Sequence, residues 1–433
     1  MQERKLPATL RFMLAARRSE LLRLEDLSQT CALVTRISQL VHALQKERGY
    51  SNLYLSSQAT HLRPRLESLS QAAASLEHEL RAALEEIDQN DLGAAEKTRL
   101  FTRIAHALHL LDELPALRRR ILDRRTSAQD ATATLARLIG SLLAVVFEAA
   151  DSAVDPDITR CLVALFNFMQ GKELAGQERA LGVAGFACGY FVEEQLERLN
   201  HLQECQERSF STFSRFASEA ATQQWQALCA SASNLQACRL REIARSTHAK
   251  AKLDTQLGEL WFELHTQRID LMQGIESQLE QELLQCCQLG MQRIRQELHS
   301  HRRVLENLSD LQHHEEQARL FSVHSSELDS PPADGLSSNL ARSTLDLLQH
   351  QAQRLQVMQD ELREARQALE ERKLVERAKQ LLIRQQGYNE SEAYAWLRQA
   401  AMNQGLQLEE VAQRLLTTST ENPSAQPRAR LRH

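Results

Sequence analysis

Glycine and proline are scarce in this chain, at 14 and 8 of 433 residues, and no proline falls between Pro156 and Pro331. Proline breaks helix interiors and glycine weakens them, so their shortage predicts an all-α protein. The eight cysteines (Cys31, Cys161, Cys188, Cys205, Cys229, Cys238, Cys286 and Cys287) show no CxxC spacing, which argues against the usual zinc and thiol-redox motifs. They read as small buried hydrophobes in a reducing compartment. HExxH, phosphate-binding-loop, GxGxxG and nucleophile-elbow patterns are all missing, so neither enzyme activity nor a catalytic residue is expected. His299, His301, His313 and His314 are too scattered for a metal site, and no metal or cofactor is expected. The polar N-terminus lacks the apolar core of a signal peptide. The most apolar run, 138–147, is too short to span a bilayer. A cytoplasmic protein without membrane spans is the expectation.

What is present is amphipathic helix. Leu24, Leu27, Cys31, Val34 and Ile37 recur at helical spacing, and the segments 61–87, 94–124, 128–170, 177–200, 210–230 and 248–311 read likewise. Such helices bury one stripe each in a long antiparallel bundle and leave their charged faces in water. The 42% of hydrophobic residues suffices for a sizeable core. Net charge is −5 but uneven: residues 371–433 carry +3 and the remainder −8. An acidic body with a basic end suits a sensor joined to a polyanion-binding output.

Residues 322–339 are rich in Ser, Pro and Asp and carry no helical stripe, so 322–343 reads as a flexible linker. Leu348, Leu355, Leu362 and Leu369 then recur every seven residues. Over 344–371 this suggests a coiled coil, and with it a homodimer. The alternative is one amphipathic helix packed on its own bundle. Gln359 and Arg366 on the second seam position would keep any coiled coil weak. The tail 418–433 is polar and reads as disordered, with Arg428, Arg430 and Arg432 available for phosphate contacts.

Three helices can be read from 374–416. Leu374, Val375, Ala378, Leu381 and Leu382 form one apolar face, which Gly387 can end. Asn389 with Glu392 makes a capping box for a second helix closed by Gly405. Leu408, Val411, Ala412 and Leu415 give the third its stripe. On residues alone this could be a helix-turn-helix for DNA. The runs ERAKQLL, SEAYAWLRQAAM and LEEVAQRLL, however, resemble the ANTAR domain, an RNA-binding output module. That resemblance implies binding to paired hairpins in leader mRNA through residues 372–417. Arg372, Lys373, Arg377, Lys379, Arg384 and Arg398 are candidate phosphate contacts, and Tyr394 or Trp396 could stack on a loop base.

Two short motifs interrupt the generic helix: QKERGYS at 45–51 and GKELAGQERALG at 171–182. Each places an Arg directly after a Glu and before a small residue. Glycine within a helix costs about 1 kcal/mol relative to alanine, so Gly49 calls for a reason. Five glycines (171, 176, 182, 185 and 189) cluster at the second motif, where they permit close helix approach. Arg48 and Arg179 either form interhelix salt bridges with Glu47, Glu173 or Glu178, or face each other as an anion site. Their planar donor forks suit a small oxyanion, whose binding would relieve their mutual repulsion.

These blocks resemble the NIT domain, a nitrate- and nitrite-sensing module, here spanning 1–321. The resemblance implies that Arg48 and Arg179 hold nitrate or nitrite, with Ser51, Lys172 and Gln177 nearby. A NIT domain joined to an ANTAR domain implies a regulator that prevents transcription termination ahead of nitrate assimilation genes. A DNA-binding regulator with a small-anion sensor, and a helical adaptor without ligand, are the competing expectations.

Overall fold

Short capping signals divide the long apolar stretches. The Asp155 carboxylate accepts the Ile158 N–H at 3.0 Å and Pro156 occupies the first turn. The expected segment 128–170 is therefore two helices, because proline costs nothing where the N–H is unbonded anyway. Gly189, at φ 78°, ends a helix in the left-handed region that L side chains avoid, and it splits the expected segment 177–200. Ser218 caps a further break within 210–230 by accepting the Ala221 N–H.

The computed structural model describes residues 8–56, 60–90, 98–153, 155–246, 253–254, 256–322 and 336–421. In order they form α1 (Ala8–Ser56), a 3₁₀ turn (Thr60–Leu62), α2 (Arg63–Asn90), α3 (Thr98–Leu122) and α4 (Ala128–Ser152). Then come α5 (Pro156–Cys188), α6 (Glu193–Phe216), α7 (Glu219–Cys229), α8 (Ala232–Arg245) and α9 (Leu257–Ser322). The chain continues with α10 (Leu336–Gln386), α11 (Glu390–Gln404) and α12 (Leu408–Glu421). There is no strand among the described residues.

Two bundles share the long helices α5 and α9. The larger core takes Leu33, Ile37 and Leu44 from α1, Leu111 from α3, Ile139 and Val146 from α4, Phe168 from α5 and Met272 from α9. The smaller collects Phe186, Phe191, Leu240 and Trp261 around the other end of α5. Gly182 lets Trp261 approach α5 closely, where the indole donates to Arg179 O at 3.0 Å. By length and composition α4 could cross a membrane, beyond what the 138–147 run suggested, yet 61% of its apolar window is buried in the bundle.

The C-terminal module has its own core of Val375, Ala378, Leu382, Ala393, Leu397, Val411 and Ala412. Its first helix is not separate: α10 runs unbroken from Leu336, inside the stretch read as linker, to Gln386. Ala365 and Leu369, at 0% and 1% exposed, join the larger sensor core. Arg366 Nη2 donates to Ala153 O at 3.2 Å. The lower seam thus packs on its own bundle, as the alternative to a coiled coil required. The side chains of Leu348 and Leu355, the remaining linker 323–335, the tail beyond 421 and the side chains of His301, His313 and His314 lie outside the described residues.

Candidate functional site

The glycines of the two motifs are explained by the arginines of the opposite helix. A Cβ on Gly49 of α1 would overlap the Arg179 guanidinium reaching across from α5. A Cβ on Gly176 of α5 would overlap Arg48 Nη2 reaching across from α1. Each helix gives up a side chain so that the other can insert a cation. Both arginines are buried, at 1% and 3% exposed.

Their surroundings differ. Arg48 grips both oxygens of Glu173, with Nη2 to Oε2 at 3.1 Å. Glu173 also accepts from Gln45 Nε2 and Gln177 Nε2, each at 3.0 Å. Arg179 donates to Thr266 Oγ1 at 2.9 Å and to Gln45 O at 3.2 Å, and lies 5.1 Å from the Phe262 ring centroid. No carboxylate forms an ion pair with it among the described residues. Burial, and then the nearby charge of Arg48, push the Arg179 pKa down to about 10. Of the salt bridges considered from sequence, Arg48–Glu173 forms. Glu47 turns away to Arg118 (2.7 and 2.8 Å) and Ser70, and Glu178 turns to Arg241. Arg48 has a bonded counter-charge, whereas Arg179 has Asp270 and Glu173 nearby but neither bonded to it, an arrangement that favours an added anion.

The weaker candidates divide. Ser51, one turn beyond Arg48, is buried and its Oγ has no hydrogen-bond partner among the described residues. Gln177 is tied to Glu173. Lys172 is fully buried, with Nζ 2.6 Å from Glu276 and 2.7 Å from Gln273 on α9, so its charge is already matched. Of the residues that hold Arg179, Gln45 opens the first motif without being singled out there, and Thr266 carried no sequence signal.

Half of the eight candidate RNA contacts are held against the sensor: Arg372, Lys373, Tyr394 and Arg398. Tyr394 is buried, its ring 4.8 Å from that of His201 and 4.4 Å from the Arg208 guanidinium. Lys379, 6% exposed, pairs with Glu376 at 2.8 Å and Glu390 at 3.1 Å. Arg398 pairs with Glu204 of α6, and Lys373 with Asp151 of α4 at 2.5 Å. Arg372 lies over the Phe166 ring at 4.9 Å. Arg377, Arg384 and Trp396 are exposed. A cleft of about 210 Å³ separates module from sensor, and Gln177 lines it beside Arg372 and Lys379. The sensor residues that hold the module (Asp151, His201, Glu204 and Arg208) are ordinary helix-surface residues in the sequence.

Residues 39–284 match the family described as nitrate and nitrite sensing, NIT, and residues 363–416 match the ANTAR domain. The chain belongs to the NIT family. The NIT match contains both arginine motifs, and the ANTAR match begins within α10, upstream of residue 372. The chain is 34% identical over 418 residues to the nitrate regulatory protein of Klebsiella oxytoca, covering 95% of each. It is also similar to the solved structure of the NasR transcription antiterminator, at 32% identity and a TM-score of 0.58, covering 96% of this chain and 100% of that one.

Behind the arginine pair, the NIT domain holds a second buried charge cluster. Glu178 accepts both bonds of the Arg241 fork, and Gln206 Nε2 at 2.9 Å. Burial opposes its charge, but Arg241, then His265 and Arg268, bring its pKa down to about 2. Glu178→Ala would strand two buried guanidiniums, and urea unfolding is expected to show a loss of about 3–5 kcal/mol.

Three histidines are kept neutral, chiefly by burial: His42 at about 2, His265 at about 3 and His201 at about 4, against an ordinary 6.5. Their folded pKa values are depressed, so the unfolded chain takes up protons first. The stability they carry is full above pH 6.5 and declines below it, by up to about 1.4 kcal/mol per pH unit for each histidine. Glu280, lifted to about 7 by burial, offsets one of them between pH 7 and 4.5. The melting temperature should therefore fall from pH 6.5 to 5. His265→Phe should flatten that fall, because neither ring nitrogen of His265 has a hydrogen-bond partner to lose.

Proposed function

We propose that nitrate or nitrite binds between Arg48 and Arg179, and that its binding frees the ANTAR module from the sensor surface. The class of activity follows from the family and its relatives: a nitrate-responsive antitermination regulator. The observation that carries the mechanism is Arg179, with no bonded carboxylate, beside the Glu173-bound Arg48.

An anion accepting from Arg179 also competes with Glu173 for Arg48. Both guanidiniums are shielded from water, so the anion must part α1 from α5 to reach them. That requirement links occupancy to helix packing. Glu173, once released, pulls on Gln177, which lines the cleft between sensor and module. The ligand shifts the equilibrium only by its difference in affinity between the docked and freed states. Freed, the module would present Lys379, Tyr394 and Arg398 together with Arg377 and Arg384. Such a surface supplies phosphate contacts and an aromatic face for a hairpin loop. A homodimer would offer two such surfaces to paired hairpins in a leader transcript, ahead of nitrate assimilation genes. The reading places the protein in the cytoplasm, where nascent transcripts are.

The test is binding of the purified protein to a two-hairpin leader RNA, with and without nitrate. Binding that requires nitrate is the expected result. Equal, tight binding without nitrate would refute the coupling, and duplex DNA competing as well as hairpin RNA would refute the output.

A further inference from the structure

Arg268 of α9 is a buried cation short of acceptors. It is 7% exposed. Its Nη1 makes a long bond of 3.3 Å to Gln206 Oε1, its Nε has no partner, and its nearest carboxylate oxygen, on Glu178, is 3.8 Å away. Glu178 is already committed to the Arg241 fork and to Gln206. Burial, and then the neighbouring Arg241, push the Arg268 pKa down. Buried donors in native proteins are nearly always satisfied, so this one calls for a partner.

Beside it is room for one. A cleft of about 380 Å³ opens between α6, α7, α8 and α9, lined by Arg241 and Arg268 at one side. Phe210 and Trp225 form an apolar wall, their rings stacked with centroids 4.0 Å apart. Glu207, exposed and accepting from Gln203 Nε2 at 3.0 Å, also lines the cleft. This volume is far larger than a three- or four-atom inorganic anion needs and falls in the range of small-organic-ligand sites. The cluster contains more guanidinium than its inner carboxylate neutralises, with the balancing carboxylate displaced to the surface. A plain dicarboxylate would gain at Arg268 and lose at Glu207. A zwitterion gains at both.

We propose that this cleft binds a free α-amino acid. The carboxylate lies on Arg268, the ammonium faces Glu207, and the side chain rests on Phe210 and Trp225. The site is separate from the Arg48–Arg179 pair, although Glu178 adjoins Arg179 in sequence. Its wall is α6, the helix that on other residues holds the ANTAR module through His201, Glu204 and Arg208. An amino acid there would add a second nitrogen-containing input to the same docking helix.

The experiment titrates each common L-amino acid into the full-length protein, following Trp225 fluorescence and thermal stability. Matching 2-oxo acids serve as carboxylates without the ammonium, and Trp225→Phe identifies the reporting indole. Saturable binding of one or more amino acids is expected. Arg268→Gln should weaken it by about tenfold or more, through loss of a charge-assisted contact. Because that variant alters a buried cluster, Ser214→Phe is the second arm: it plugs the cleft from an exposed serine and should abolish binding while leaving nitrate-induced stabilisation intact. That nitrate control separates failure of this site from failure of the nitrate reading. Absence of binding by any amino acid, equal binding of the 2-oxo acids, or unchanged binding in Ser214→Phe would overturn the proposal.

Discussion

Arg179→Met is expected to raise the melting temperature of the ligand-free protein while abolishing its stabilisation by nitrate. The two effects share one origin. Arg179 is buried without a bonded carboxylate, and desolvation and Arg48 outweigh the support its charge receives from Asp270 and Glu173. Replacing a buried ion that has no bonded partner with an apolar chain of similar length is commonly neutral or stabilising. The same substitution removes the fork that would bind the oxyanion. Loss of two charge-assisted hydrogen bonds should weaken nitrate by about 100-fold or more. Thermal shift with and without nitrate reads both effects at once. An unstable apo variant would point to a structural role, and an unchanged nitrate shift would remove Arg179 from the site. Gly49→Ala provides a companion: it leaves both arginines in the sequence but displaces the Arg179 guanidinium, so it too should lose nitrate binding.

The second large effect concerns the docked output. Reversing two sensor carboxylates (Asp151→Lys with Glu204→Lys) turns the attractions to Lys373 and Arg398 into repulsions. Adding His201→Ala removes the ring that packs against Tyr394. The exposed Arg398–Glu204 pair contributes little on its own, and the half-buried Lys373–Asp151 pair more. Two reversals of sign and one lost ring contact together should still shift a closed-to-open equilibrium by about 100-fold, since that needs only about 2.7 kcal/mol. The triple variant is therefore expected to bind the leader RNA in the absence of nitrate, with an affinity close to that of the nitrate-bound parent. All three changes lie on the sensor, so the proposed RNA contacts are untouched. If the variant still requires nitrate, these contacts are not what restrains the module.

The sequence made some of this readable and withheld the rest for identifiable reasons. Gly49 and the glycine cluster announced close helix approach, because a mid-helix glycine is costly without a steric purpose. The capping box at Asn389–Glu392 and the closing Gly405 are local signals, and both are found in place. The break at Asp155–Pro156 was equally local but was masked by the apolar run on either side. What could not be read is which charge faces which. Glu178 was weighed as a partner for arginines in the two motifs, whereas its partner is Arg241, on a helix more than sixty residues away. Lys172 is placed near the arginine pair by resemblance, and only the packing of α9 reveals that Glu276 already matches its charge. Tyr394 likewise sits on an amphipathic helix whose outer face is polar, and nothing in its own segment records the α6 surface that covers it. Periodicity reports that a face is buried, not what buries it.

Helix α10 sets the mechanics of the switch. It is 51 residues long, a single rod of about 75 Å at 1.5 Å per residue. The same rod is gripped by the sensor at Ala365 and Leu369 and supplies the first helix of the ANTAR core from Val375 onward. No swivel separates grip from output, so the two share one rotational phase. A single residue inserted between Leu369 and Leu374 would rotate the RNA-binding face by about 100° about the rod's axis. Four would return it nearly to its starting azimuth, about 6 Å further along. The output therefore behaves as a keyed shaft: what the sensor transmits is roll and peel of a rigid element, and azimuth, more than tether length, decides which face the module turns to the sensor.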